Sequence, residues 1–416
     1  MIVDGDRLWG RLRRLAEVGA LPTDAGGGIT RTALSAAHAD AATLVAGWMR
    51  EAGLEVGLDA TGNLIGTLAG REAGLPAVAL GSHLDTVPHG GAFDGALGVL
   101  AGLEAAQSLA ERGERLRRPL AVLGFADEEG NQFGIGVLSA QLWIGEIPAE
   151  HFGAIRDRDG RSLADALAGF SLPGVPRVER PELAAYLEAH VEQGPVLDRE
   201  GRPAAAVSSI VGISRTTVRF RGEANHAGTT PMALRRDALW GAAELALAVR
   251  DLGLASAGGA VTTVGVLELE PGATNVVPGA ARLRVEIRSP DEGLLAELRD
   301  AVEREARAAA ERLGLDVELD TWHQAPAVPM DPLVVRATQR ALSDAGVPEH
   351  TMPSWAGHDA KVLARRLPVG MVFVPSIGGI SHSPYEDTRP EHCALAAELL
   401  LHAARRVDAA LVPGRT

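Results

Sequence analysis

The chain has 416 residues, 46% hydrophobic and 23% charged, which suits two or three packed domains of an ordinary globular protein. Forty basic against 54 acidic residues leave a formal charge of −14, which argues against a nucleic-acid or anionic-membrane partner, and aromatics at 4% argue against a base-stacking surface. A single cysteine, Cys393, excludes an intrachain disulfide and reads as a small buried group in a helix. No basic-then-apolar leader and no membrane-length apolar run is present, so the expectation is a cytoplasmic protein.

In chain order, Leu8, Leu12, Leu15 and Val18 are spaced for one face of a helix over 4–19. A glycine-rich loop follows at 25–30, then a helix over 35–52 that stops at Gly53. Short strands are expected at 55–58 and 63–68. The apolar run Ala77 to Leu80 is one buried strand, and it breaks at Gly81 and Ser82 directly into His83 and Asp85. A loop with Phe93, Asp94 and Gly95 leads to an amphipathic helix. That helix sets Val99, Leu103, Ala106 and Leu109 on one face and Glu104, Ser108, Glu111 and Arg112 on the other. The arginine cluster at 115–118 reads as a solvated helix end. A second buried strand, 120–126, runs into Asp127, Glu128 and Glu129. Residues 140–180 read only as helices and loops, and Tyr186 to Val191 as a strand or helix edge carrying Glu188 and His190.

The pattern changes near residue 210. Strand, helix, two strands, helix and strand follow at 213–221, 236–252, 261–269, 282–288, 291–313 and 315–321. This β-α-β-β-α-β order is the split ferredoxin-like unit, complete in itself. Residues 211–325 are therefore expected as a domain inserted between 1–210 and 326–416 of one α/β domain, which resumes with a helix after Asp331, a strand at 369–374 and a terminal helix at 391–407.

Open α/β sheets place their chemistry where loops leave the strand ends. His83, Asp94, Glu128, Glu129, His190 and His382 each follow an apolar run or sit in a Gly- or Pro-rich loop. Imidazoles mixed with carboxylates suit Zn, Mn, Co or Ni, and a shared carboxylate can bridge two such ions about 3.5–4 Å apart. Spacing alone leaves both a metal site and a set of unrelated polar loop residues open.

Seven segments occur in one order: GSHLDTVPHGGAFDGALGVL, FADEEGNQFG, LEAHVEQGPVL, NHAGTTPM, PGATNVVPG, GHDA and FVPSIGGISHSP. Together they resemble the hydantoinase/carbamoylase-type amidases, a group that includes N-carbamoyl-L-amino-acid amidohydrolase, allantoate amidohydrolase and β-ureidopropionase. The resemblance runs from about Leu8 to the last helix. It implies an aminopeptidase-like catalytic domain with two divalent metal ions per chain (Mn, Zn, Co or Ni) and an inserted ferredoxin-like lid through which the protein forms a homodimer. It implies that His83, Glu129, His190 and His382 divide between the two metals and that Asp94 bridges them. Asp85 would orient an imidazole, and Glu128 would be the general base that takes a proton from the bridging water. Gln193, His226, Asn275, Arg288 and Gly357 match substrate contacts. His226 would stabilise the oxyanion in a neighbouring subunit's site, and Arg288 would pair with a substrate carboxylate.

Three positions depart from the family pattern: ValLeuSerAlaGln at 137–141 in place of a Gly-Ser pair, Trp355 before the GHDA segment, and Tyr385 where an acidic residue is common. Glu192 and the histidines His89, His151, His323, His350 and His358 read as structural or solvated. The expected substrate is a small ureido or carbamoyl acid, foremost an N-carbamoyl-L-α-amino acid cleaved to amino acid, carbon dioxide and ammonia. Allantoate or a β-ureido acid is the nearest alternative; an aminopeptidase or dipeptidase, or a binding protein on the same fold, is more remote.

Overall fold

The apolar run at 77–80 forms the middle of a nine-stranded mixed sheet. In chain order the strands of the molecule are β1 (Glu55–Leu58), β2 (Leu64–Leu68), β3 (Ala77–His83), β4 (Leu120–Phe125), β5 (Leu183–Val191), β6 (Ala205–Ile210), β7 (Gly212–Arg221), β8 (Asn225–His226), β9 (Val261–Glu270), β10 (Val276–Val277), β11 (Ala280–Ser289), β12 (Asp316–Ala325), β13 (Val328–Pro329), β14 (Thr351–Ser354) and β15 (Val369–Val374). The longer helices are α1 (Gly5–Ala16), α2 (Ala36–Glu51), α3 (Ala96–Glu111), α4 (Ala238–Ala255), α5 (Glu292–Leu313), α6 (Pro332–Asp344) and α7 (Pro390–Ala410). This computed structural model describes residues 2–411. Its residues divide into two units, Met1–Ser208 with Met330–Thr416, and Ser209–Pro329.

In the first unit the sheet order is β1-β2-β4-β3-β5-β15-β6, with β14 on β6, and β13 pairs with the Ser209–Ile210 end of β6. The central four strands, β4, β3, β5 and β15, are parallel. Every residue of β3, β4 and β15 is buried. That is why they read as short continuous apolar runs and not as alternating ones. All four parallel strands point their carboxyl ends the same way, so His83 and His190 at strand ends and Glu128 and His382 in the loops that follow are delivered to one edge of the sheet.

Helix α3 departs from its expected two-faced pattern. Glu104 and Ser108 were expected on the solvent side, yet they are 0% and 3% exposed. Helices α1 and α7 pack over that side. The buried carboxylate of Glu104 is satisfied there: it accepts from Arg7 Nε at 2.8 Å, Arg7 Nη2 at 2.7 Å, Asp4 N at 2.9 Å and Ser108 Oγ at 3.1 Å. Helix α1 itself starts on Asp4, whose side chain caps Arg7 N, and α2 starts on Ser35, which caps His38 N. The arginine cluster after α3 is also only partly solvated. Arg118 is 6% exposed, and Asp408 accepts from the backbone N–H groups of Arg117 and Arg118. The stretch at 140–180, expected as helices and loops, holds the short helices Leu138–Trp143 and Leu163–Gly169, and Cys393 is fully buried in α7.

The second unit carries the β-α-β-β-α-β order as β7-α4-β9-β11-α5-β12. Its four strands are all antiparallel, in the order β12-β7-β11-β9. On β11 the alternation is clean: Leu283, Val285 and Ile287 are buried with Leu245 and Val249 of α4 and Leu298 and Val302 of α5. Arg282, Arg284, Glu286 and Arg288 take the other face. Strands β8 and β10 form a separate two-stranded ribbon, a feature the sequence pattern did not reveal. Among the described residues no helix is long and apolar enough to cross a membrane.

Candidate metal centre

Four strand ends of the first unit deliver the site. His83 is the last residue of β3, Glu128 and Glu129 follow β4, His190 lies near the end of β5, and His382 sits in the loop after β15. Asp94 reaches them from the loop before α3. That loop needs a glycine next: Gly95 has φ 65°, and a Cβ there would lie 2.4 Å from the His83 ring. Two more positions are held in the left-handed region without being glycine, Gln193 at φ 61° and His382 at φ 53°. Such backbone strain is kept where the surrounding structure demands it, and here both residues meet Asp94.

Asp94 divides its two oxygens between two groups of donors. Oδ1 lies 3.4 Å from His83 Nε2 and 3.1 Å from His190 Nε2. Oδ2 lies 3.2 Å from His382 Nε2, which is in turn 3.5 Å from Glu129 Oε1. Two sets of ligand-type atoms therefore share one carboxylate: His83, Asp94 and His190, and Asp94, Glu129 and His382; in each, the ligand atoms lie within 4.8 Å of one another. This donor chemistry fits divalent ions of the borderline class, with nitrogen and carboxylate ligands in both sets. His83 and His190 turn their other ring nitrogens to backbone carbonyls, Nδ1 to Asp85 O at 3.0 Å and Nδ1 to Val191 O at 2.8 Å. With an ion bound, both rings would donate from Nδ1 to these carbonyls and offer Nε2 as the ligand atom.

The surrounding carboxylates have separate tasks. Asp85 accepts from Glu128 N at 3.1 Å and Glu129 N at 3.2 Å, so it fixes the acidic turn as well as flanking His83 at 3.4 Å. Glu128 lies with His83 and Glu129 in a further group of ligand-type atoms. Gln193 donates from Nε2 to Asp94 Oδ2 at 2.9 Å, and its backbone N–H is held by Ser376 Oγ at 2.9 Å. Gly357 is exposed and a Cβ there would meet nothing within 4 Å, so packing does not demand a glycine at that position.

Charge is concentrated in little water. Burial penalises the Asp94 carboxylate, but hydrogen bonds from His190, His382 and His83 outweigh it and hold the carboxyl well below its ordinary range. Burial, reinforced by the Asp94 charge, raises Glu129 to about 7. Burial also drives Glu128 well above the usual carboxyl range, against the pull of His83. The hydrogen bond to Asp94 raises His382 to about 9. A cavity crowded with carboxylates, several of them pushed toward protonation, is a site built for added positive charge.

Supporting residues appear that the sequence did not single out. Glu386 accepts from Phe93 N, Asp94 N and Ser381 Oγ at 2.9, 3.0 and 3.0 Å, so it locks the Asp94 loop. It is the residue after Tyr385, which is 80% exposed. His358 is fully buried and presents its ring edge-on to His190, centroids 4.6 Å apart, while Ser354 Oγ lies 2.8 Å from its Nε2. Glu188 accepts from Ser82 Oγ beneath the site at 2.7 Å. The three-dimensional neighbourhood gives these residues their roles, although His358 lies in the GHDA segment and Glu188 in LEAHVEQGPVL. Glu192 does cap a helix, accepting from Val196 N and Leu197 N.

His226, Asn275 and Arg288 belong to the second unit. The β8–β10 ribbon pairs Val276 with His226, and Ala227 N donates to Asn275 O at 2.9 Å, so two of the three are neighbours. His226 Nδ1 accepts from Gly228 N at 3.0 Å and Thr229 N at 3.3 Å. The neutral ring must therefore carry its proton on Nε2. Arg288 lies apart from the ribbon, on β11, where its Nε donates to Glu286 at 2.7 Å.

Residues 79–406 match peptidase family M20/M25/M40. The N-carbamoyl-L-amino acid amidohydrolase of Geobacillus stearothermophilus is 40% identical over 409 residues, which cover 96% of this chain and 98% of that protein. The allantoate amidohydrolase of Escherichia coli K12 is 35% identical over 367 residues, 88% of this chain and 89% of that one. A crystal structure of a hydantoinase/carbamoylase family amidase from Burkholderia multivorans superposes with a TM-score of 0.92 at 36% identity, covering 99% of both chains.

Proposed function

The chain belongs to peptidase family M20/M25/M40, among its hydantoinase/carbamoylase-type amidases, and is a hydrolase of non-peptide C–N bonds; on that premise we propose that it hydrolyses N-carbamoyl-L-α-amino acids. The observation that carries the reading is the division of Asp94 between His83 and His190 on one oxygen and His382 on the other. In this reading His83, Asp94 and His190 hold one divalent ion, and Asp94, Glu129 and His382 hold a second. When bound, the two ions supply Lewis-acid activation of water and of the ureido carbonyl.

The rest follows from the chain's own groups. Glu128 takes a proton from the attacking water as the new C–O bond forms, and returns it to the amino-acid nitrogen as the C–N bond breaks. The amino acid leaves, and the carbamate left behind falls apart to carbon dioxide and ammonia. Glu128 suits this task because its carboxylate lies among the ligand-type atoms of His83 and Glu129 and its elevated pKa lets it both accept and return a proton. The Nε2–H of His226 is a donor suited to a developing oxyanion, and Asn275 on the same ribbon can donate to the substrate. The guanidinium of Arg288 pairs with the α-carboxylate. The second unit serves in this reading as a lid and as the dimer contact of a homodimer.

The relative from Geobacillus and the relative from Escherichia coli differ in the substrate that their names state, and the chain resembles both. Ammonia release from Mn-reconstituted protein, offered N-carbamoyl-L- and D-amino acids, β-ureidopropionate and allantoate, decides between them. Turnover of the L-carbamoyl acids is expected; turnover confined to allantoate would move the substrate and leave the metal centre standing.

A further inference from the structure

Arginine is a long side chain, and a guanidinium meant for a planar carboxylate must be held in one orientation to bind it bidentately. On the outward face of β11, Arg288 and Glu286 are two residues apart and so lie on the same side of the sheet. Arg288 Nε donates to Glu286 Oε1 at 2.7 Å. The other oxygen, Oε2, accepts from Arg215 Nε, also at 2.7 Å. Arg215 stands directly opposite Glu286 on β7. The guanidinium of Arg215 lies over the indole of Trp322, 5.8 Å from the ring centroid. Trp322 occupies the irregularity in β12, where the pairing with β7 shifts between Thr321 and His323. The side chains of Arg215, Glu286 and Arg288 are 36%, 26% and 27% exposed, so this is not a freely solvated ion pair.

We propose that Glu286 is the positioning residue for Arg288: it takes the Nε of Arg288, with Arg215 and Trp322 fixing Glu286 from the other side, and so sets the guanidinium for a substrate carboxylate. This rests on the carboxylate role given to Arg288 above. Three observations favour it over a simple sheet-stabilising pair. Each oxygen of Glu286 has its own arginine Nε, which defines the carboxylate plane. The Arg215 guanidinium that takes the second oxygen is itself backed by the Trp322 ring, so the far side of the carboxylate is fixed as well. Burial works against the Glu286 charge, but Arg288 and Arg215 outweigh it and hold the carboxyl below its usual range, so the clamp persists across neutral pH.

The test is a double-mutant cycle read on the carboxylate-bearing substrate that the wild type hydrolyses, whether a carbamoyl acid or allantoate. Glu286→Ala is expected to raise KM about 10-fold with kcat within about twofold. In the Arg288→Ala background the same change should add nothing, because the residue acts through Arg288. Glu286→Gln keeps the shape and one acceptor, so about a 3-fold rise in KM is expected; it carries the test if the alanine variant fails to fold. An unchanged KM, an equal loss in kcat, or effects that add to those of Arg288→Ala would overturn the assignment while leaving the proposed function in place. Turnover confined to ureas without a carboxylate would overturn both.

Discussion

The two units gather their proposed functional residues in opposite ways. In the first, side chains from positions 83, 94, 129, 190 and 382 meet at one buried carboxylate because four parallel strands end on one edge. In the second, His226 and Asn275 meet because a two-stranded ribbon pairs their neighbours, and Arg288 is held by a residue two positions away. A parallel sheet can thus collect ligands from most of the chain into a dry centre, where charge is costly unless a cation is added. An antiparallel unit keeps its polar groups at the surface, where in the proposed function they serve recognition. The comparison predicts that substitutions in the first unit destroy turnover or metal binding, whereas those in the second change substrate affinity first.

The largest expected effect is at Glu128. Glu128→Gln should keep the metal content and lose roughly 10³-fold or more in kcat, read by ammonia release. A variant that turns over normally would remove Glu128 as the base. Next is Arg288→Ala, with KM raised on the order of 100-fold and a smaller change in kcat. If kcat fell as far as in the Glu128 variant, the division of labour between the units would fail.

Stability provides smaller effects. His38 is fully buried under the site and its Nδ1 accepts from Leu34 N at 3.0 Å. Burial lowers its pKa from 6.5 to about 4. A histidine with a depressed folded pKa binds its proton more readily in the unfolded chain. Its contribution is therefore complete above pH 6.5 and is lost as pH falls from 6.5 toward 4, by about 3 kcal/mol. His38→Asn keeps an acceptor for Leu34 and should flatten that part of the stability profile, measured by urea melts at pH 7 and pH 4.5. An unchanged slope would place the proton elsewhere. Arg7→Ala should cost about 2 kcal/mol, because it leaves the buried Glu104 carboxylate short of its charged partner. A melting temperature equal to that of the wild type would contradict the account of α3.

Much of the site was legible because its residues punctuate apolar runs. His83 ends β3, Glu128 and Glu129 follow β4, and the ordered motifs tie them to His190 and His382. What stayed hidden depends on burial or on distant packing. Glu104 looked solvated because helical periodicity shows a polar face but not the helix that covers it. Glu386 looked ordinary, and His358 read as structural or solvated despite its place in the GHDA segment, because their partners, the Asp94 loop and the His190 ring, lie 292 and 168 positions away in sequence. The β8–β10 ribbon was missed because strands of two residues carry no period.

The central claim is that one carboxylate serves two ions. Metal content per chain, measured by mass spectrometry after Mn or Zn reconstitution and desalting, tests it most directly in the wild type and in Asp94→Ala. The account predicts about two ions per wild-type chain and fewer than one in the variant, since both sets of ligands lose a member. An Asp94→Ala protein that still holds two ions, or a wild type that holds none, would contradict it.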